Sequence, residues 1–112
     1  MPSPPPGGPT PIDGFEQGGT YYGVYLAVAA KMGPELEAAV SRVKAMGVGE
    51  LGRGWTYGSL ACDQGASQQL GVPTDWSSVA VYFYTRVDAE MFAAALDPPA
   101  EGIARVKTYC AD

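Results

Sequence analysis

The chain contains no histidine. That absence removes Ser-His-Asp and Cys-His catalysis, and every His-ligated metal site, in one step. Charge is also sparse. There are 7 Lys and Arg against 12 Asp and Glu, which leaves a net charge of −5. A negative chain without a basic run is a poor partner for nucleic acid or an anionic membrane surface. No apolar run is long enough to cross a bilayer, and the opening residues are neither basic nor apolar, so they are not a signal peptide. Only two cysteines occur, Cys62 and Cys110. They form no CxxC pair and have no Cys or His neighbour, which excludes zinc and thioredoxin-type redox chemistry. One disulfide or two buried thiols remain open. A bridge would anchor the C-terminal end, add about 3–4 kcal/mol in the chain-entropy description, and favour an oxidising, exported location.

No cofactor is implied. Gly47-Val48-Gly49-Glu50-Leu51-Gly52 matches the GxGxxG fingerprint literally, but it follows a helical pattern and precedes a strand, the reverse of the dinucleotide-binding order. No two carboxylates are close enough in sequence to nominate an acid–base pair. Asp63, Asp75, Asp88 and Asp97 all stand at turn or cap positions. The residue inventory therefore favours a protein that is not an enzyme.

What is present points to one small domain of 112 residues. Of 15 Gly and 10 Pro, 5 and 6 respectively fall within the first 19 positions. Residues 1–19 read as a disordered Pro/Gly-rich linker, extended as polyproline II, and residues 20–112 as a single α+β domain. A spacer at the start of a chain has nothing to hold apart, so we expect the C-terminal piece of a longer protein behind an added start Met. A cytosolic protein with a floppy tail and a PxxP ligand for an SH3-like partner are the alternatives.

Alternation predicts strands over Tyr21–Ala30, Trp55–Cys62, Val79–Thr85 and Ile103–Cys110. The clearest helix starts at Gly33-Pro34, carries Leu36, Ala39, Val40, Val43 and Met46 on one stripe, and ends at Gly47. A second helix is capped by Asp88 and runs through Leu96, and a short one is possible between Asp63 and Leu70. The order predicts a ferredoxin-like split βαβ sandwich (βαββαβ): a four-stranded antiparallel sheet, order 4-1-3-2, with two helices on one face. In that order the Trp55 and Ile103 strands are opposite edges, too far apart for a bridge. Cys62 would have to lie beyond its strand, on a segment crossing under the sheet.

Alternation also sorts the faces. Val24, Leu26, Val28, Val81, Phe83 and Val106 are expected to meet the helices. The opposite, open face would gather Tyr21, Tyr25, Trp55, Tyr57, Tyr82, Tyr84 and Tyr109, with Arg105 and Lys107 along one edge. So many rings on a bare face would mark an interaction site, unless the Asp63–Leu70 segment, the leader or a partner subunit covers them. Flat rings with polar edges suit a glycan or an extended peptide.

The cadence Tyr22-x-Val24-x-Leu26-x-Val28, Leu36-Glu37-Ala38-Ala39-Val40 and Ala45-Met46-Gly47 resembles the first half of a SPOR (sporulation-related repeat) domain. Val79-Ala80-Val81-Tyr82-Phe83, Asp88-Ala89-Glu90 and Phe92-Ala93-Ala94-Ala95-Leu96 resemble the second half. The resemblance spans residues 21 to 109. It implies a ferredoxin-like fold outside the bacterial inner membrane and binding of peptidoglycan glycan on the sheet. The expected role is thus an extracytoplasmic binding module of the bacterial cell envelope. The alternative is a sensory or protein-docking ectodomain of a membrane-anchored receptor, such as a receptor kinase, whose aromatic face makes protein contacts, a homodimer through the sheet face among them.

Overall fold

The computed structural model describes residues 10–109. Five antiparallel strands form one curled sheet: β1 (Gly19–Ala29), β2 (Trp55–Ser59), β3 (Asp63–Gln64), β4 (Ser77–Phe83) and β5 (Gly102–Thr108). Three helices accompany them: α1 (Pro34–Met46), α2 (Ala66–Leu70) and α3 (Arg86–Ala94). The fold class is α+β. Strand order is β2-β4-β1-β5-β3, so β4 and β1 occupy the middle, and a fifth strand that the sequence does not announce lies outside β5. A single 3-10 turn, Leu60–Cys62, carries the chain from the β2 edge toward β3 at the opposite edge.

Local chemistry sets the helix ends. At α1, Gly33 is the N-cap, Pro34 takes the first helical position, where its missing N–H costs nothing, and Gly47 closes the helix in the left-handed region. At α3 the cap is Thr85, not Asp88. The Thr85 hydroxyl accepts from the Asp88 N–H at 3.2 Å, because a residue with extended backbone is needed just before the first turn.

One side of the sheet packs against α1 and α3. Leu36, Ala39 and Val43 of α1 and Ala89 of α3 close over Val24, Leu26, Val79, Val81 and Phe83. Trp55 belongs to this cluster and Tyr57 packs against it. The sequence placed both rings on the opposite face. Register explains the correction: Trp55 pairs with Val81 and Tyr57 with Val79, and directly opposed residues share a side. Gly54 and Gly58 had hidden the phase of that strand.

The other side carries Tyr21, Tyr25, Ala80, Tyr82, Ala104 and Val106. Two expected core residues are found here instead. Val106 pairs with Tyr21 and so follows the tyrosines, while Ile103 is the β5 residue that reaches the helices. Val28 is displaced by a β-bulge between Tyr25 and Ala27. One extra residue swaps the sides of everything after it, so Val28 joins the tyrosines and Ala27 and Ala29 face the helices.

This second side is not open. Ile12, 3% exposed, and Phe15 cover it from the leader. Leu60, Ala66, Leu70 and Val72 cover it from the segment between β2 and β4. The expected linker boundary at residue 19 therefore moves. Residues 1–9 lie outside the described residues, but the stretch from Thr10 to Gly18 is a strap, tied by the Ile12 N–H to the Tyr82 carbonyl at 2.9 Å and by the Gly18 N–H to that of Thr108 at 2.6 Å.

Candidate functional site

The nine residues proposed from sequence do not form one surface. Tyr21, Tyr25, Tyr82 and Trp55 are buried and Tyr57 is half-buried. Trp55 also donates its indole N–H to the Gly49 carbonyl at 2.9 Å, which fixes it as a packing residue. Arg105 and Lys107 are exposed, yet they pair with Tyr22 and Thr20 and so alternate away from the tyrosine side. Only Tyr84, 61% exposed, and Tyr109, 45% exposed, present rings to solvent.

Those two rings stand at the same end of the sheet, where β1 begins and β4 and β5 finish. Tyr84 follows Phe83, the partner of Tyr22, which places it opposite Tyr21. Its ring centroid is 5.9 Å from that of Tyr21, and the Tyr21 ring meets Phe15 edge-on at 5.4 Å. Phe15 in turn meets Tyr82 at 4.9 Å. The Tyr21 hydroxyl accepts from the Glu16 N–H at 2.8 Å. An exposed ring is thus seated on a ladder of rings whose inner members, Tyr21 and Tyr82, are buried. Edge-to-face pairs of this kind contribute about 0.5–1.5 kcal/mol each beyond area burial.

Beneath the cover lies a polar group that sequence reasoning left at a turn. Asp63, only 6% exposed, accepts from the Tyr25 hydroxyl at 2.5 Å and from the Tyr82 hydroxyl, both on Oδ2. The Tyr82 oxygen also lies 3.0 Å from Thr56 Oγ1. Burial pushes the Asp63 carboxyl above the usual carboxylate range, and the two hydroxyl donors pull partly against that rise. Burial, together with the neighbouring carboxylate, drives both tyrosine hydroxyls well above their ordinary value. They are therefore fixed donors at neutral pH. The local sequence signal was present but ambiguous: Asp63 follows a strand, and only the crossing of the chain brings it under Tyr25.

The edge of β5 is finished by a side chain. Gln69 of α2 donates to the Arg105 carbonyl at 2.7 Å and accepts from its N–H at 2.9 Å. The amide thus continues the ladder that β3 begins at Asp63–Thr108 and Gln64–Lys107. Cys62 sits just before β3, and its carbonyl accepts from the Tyr109 N–H at 2.9 Å. The crossing that a Cys62–Cys110 bridge required is therefore observed, although Cys110 itself lies outside the described residues.

Among the described residues no three His, Cys, Asp or Glu are grouped to hold a metal, and no helix there is long and apolar enough to cross a membrane. No family model, curated protein or solved structure matches this chain.

Proposed function

We propose that this chain is a non-enzymatic binding module that takes its ligand at the Tyr84 end of the sheet rather than on a sheet face. The observation that carries the reading is the exposed Tyr84 ring, seated against Tyr21, which Phe15 in turn meets edge-on. A ring held by its neighbours loses little freedom on stacking, which suits a sugar face or an extended peptide. The wider reading is a SPOR-like, ferredoxin-like module of the bacterial cell envelope binding peptidoglycan. Its supports are the order of the four longer strands and the packing of α1 and α3 in one apolar cluster. An extracytoplasmic location rests on a Cys62–Cys110 disulfide, favoured by the Tyr109–Cys62 hydrogen bond and by the lack of a free cysteine among the described residues. Intact mass before and after reduction tests the bridge.

Pull-down on purified peptidoglycan tests the binding reading. Retention that Tyr84→Ala abolishes, with Tyr57→Ala as a control on the other side of the sheet, supports it. No retention, or retention indifferent to Tyr84→Ala and Tyr109→Ala, overturns it.

A second reading has its own observation. Val87 and Met91 of α3 are 63% and 44% exposed and stand three and seven residues beyond Tyr84. This apolar stripe suits a protein-docking ectodomain. Concentration-dependent association in light scattering, removed by Val87→Ser with Met91→Ser and unaccompanied by wall binding, would favour it.

A further inference from the structure

Asp63 is the one buried carboxylate among the described residues. Among the described residues no cation neutralises it, since the ion pairs there are Arg53–Asp13 and Arg86–Glu90. Both tyrosine hydroxyls fall on Oδ2, and among the described residues no donor falls on Oδ1. Among the described residues Thr108 Oγ1 is the fully sealed side-chain atom without a partner. Asp63 Oδ1 is not among such sealed, unpartnered atoms. Asp63 borders a hollow of about 330 Å³ whose polar lining comes from Gln64, Ser67, Gln68 and Thr74. Every one of those side chains is neutral.

A carboxylate drawn out of water without a counter-charge is unfavourable, and a cation arriving at the free oxygen reverses that cost. Geometry selects which cation. A guanidinium favours two carboxylate oxygens in a fork, and here Oδ2 is already occupied twice. A divalent metal favours several charged carboxylate ligands, and among the described residues Asp63 belongs to no group of three His, Cys, Asp or Glu. A primary ammonium carries three donors on a compact head. One donor suits Oδ1 and the others suit the hydroxyl of Ser67 or Thr74 and an amide oxygen of Gln64 or Gln68. We propose that this hollow is a binding site for a primary alkylammonium group, such as the side-chain amine of a diamino acid. The proposal names a ligand chemistry that the wall-binding reading does not, and it stands whether or not the Tyr84 surface binds peptidoglycan.

The test is a titration of the full, ¹⁵N-labelled chain with n-butylammonium chloride, followed by backbone amide shifts. Saturable shifts centred on Gln64, Gly65, Ser67 and Gln68, with a millimolar dissociation constant, are expected. Potassium chloride and n-butanol at matched concentrations should not reproduce them. Asp63→Asn keeps an acceptor for the tyrosine hydroxyls and should weaken binding about tenfold or more, the scale of one lost charged contact. Ser67→Ala, at a half-buried position, should weaken it several-fold and serves if Asp63→Asn does not fold. Absent or non-saturating shifts overturn the site, as do shifts that potassium reproduces. Affinity unchanged in the substituted chains overturns it equally. A failed peptidoglycan pull-down leaves this titration untouched, and a failed titration leaves the Tyr84 surface untouched.

Discussion

On its helix side the sheet is packed by two helices of 13 and 9 residues, whose stripes meet Val24, Val79, Val81 and Phe83. On its other side it is packed by the strap of residues 10–18 and the short pieces between Leu60 and Val72. The difference extends to chemistry. The buried polar residues, Asp63, Ser78 and Thr108, belong to the second side. Ser78 alternates with Ala80 and Tyr82 on β4, and Thr108 alternates with Ala104 and Val106 on β5. Long helices bury enough apolar area to hold themselves down, at about 25 cal/mol per Å². Segments of two to five residues bury less and are fastened by directed bonds as well: Asp63 to two tyrosines and Gln69 to the Arg105 backbone. The molecule therefore has one face held by area and one held by area plus specific polar groups.

The largest expected effect breaks that contrast from the helix side. Trp55→Ala removes a ring 2% exposed and should cost about 3–5 kcal/mol, read as a lowered denaturant midpoint with an unchanged slope. A near-neutral result would return Trp55 to an exposed surface and undo the assignment of faces. The next effect belongs to the covered side. Tyr25→Phe deletes one of two donors to a buried carboxylate and should cost about 1.5–3 kcal/mol at neutral pH. In acid, where the carboxyl is neutral, the loss should shrink toward that of an ordinary hydrogen bond.

Asp63 sharpens the comparison through pH. Its native value is raised by burial above the unfolded value of about 4. The contribution of the carboxyl is therefore fully present below the unfolded value and is lost as pH rises through the native one. The stability of the wild-type chain minus that of Asp63→Asn should fall from acid toward neutrality. A difference that is flat, or that rises with pH, would mean that Asp63 is solvated or paired with a cation. The smallest effect is local. Gln69→Ala should cost about 1 kcal/mol and speed hydrogen exchange at the Arg105 amide, while amides of β4 keep their protection.

Much of the architecture was legible in the chain. Gly33-Pro34 and Gly47 mark the ends of α1 because their backbone preferences act within a few residues. The four longer strands and their relative order also follow from alternation and connection rules. Even the tyrosines of β1 carried a hidden clue. Gly23 precedes Tyr25 by two positions, and a Cβ there would stand 2.8 Å from the Tyr25 ring. That ring lies down along the strand instead of standing up from it, as a covered side requires. Gly23→Ala accordingly forces an overpacked contact, with a cost of about 1–3 kcal/mol.

The candidate site was much less legible. Tyr84 and Tyr109 were named, but among seven other residues that the fold buries or turns aside, because a tyrosine in a strand has the same alternation whether its side is bare or roofed. The sequence by itself determined the two ends of α1 and the places of the four longer strands in the chain, since those follow from torsions and spacing along a few residues. Only the tertiary structure decided that a strap and a crossing segment roof the tyrosines, that a bulge moves Val28, and that Asp63 ends beneath Tyr25 and Tyr82. Those outcomes depend on which distant segments compete to bury the same apolar surface, and that competition is settled by packing across the whole chain rather than by any local preference.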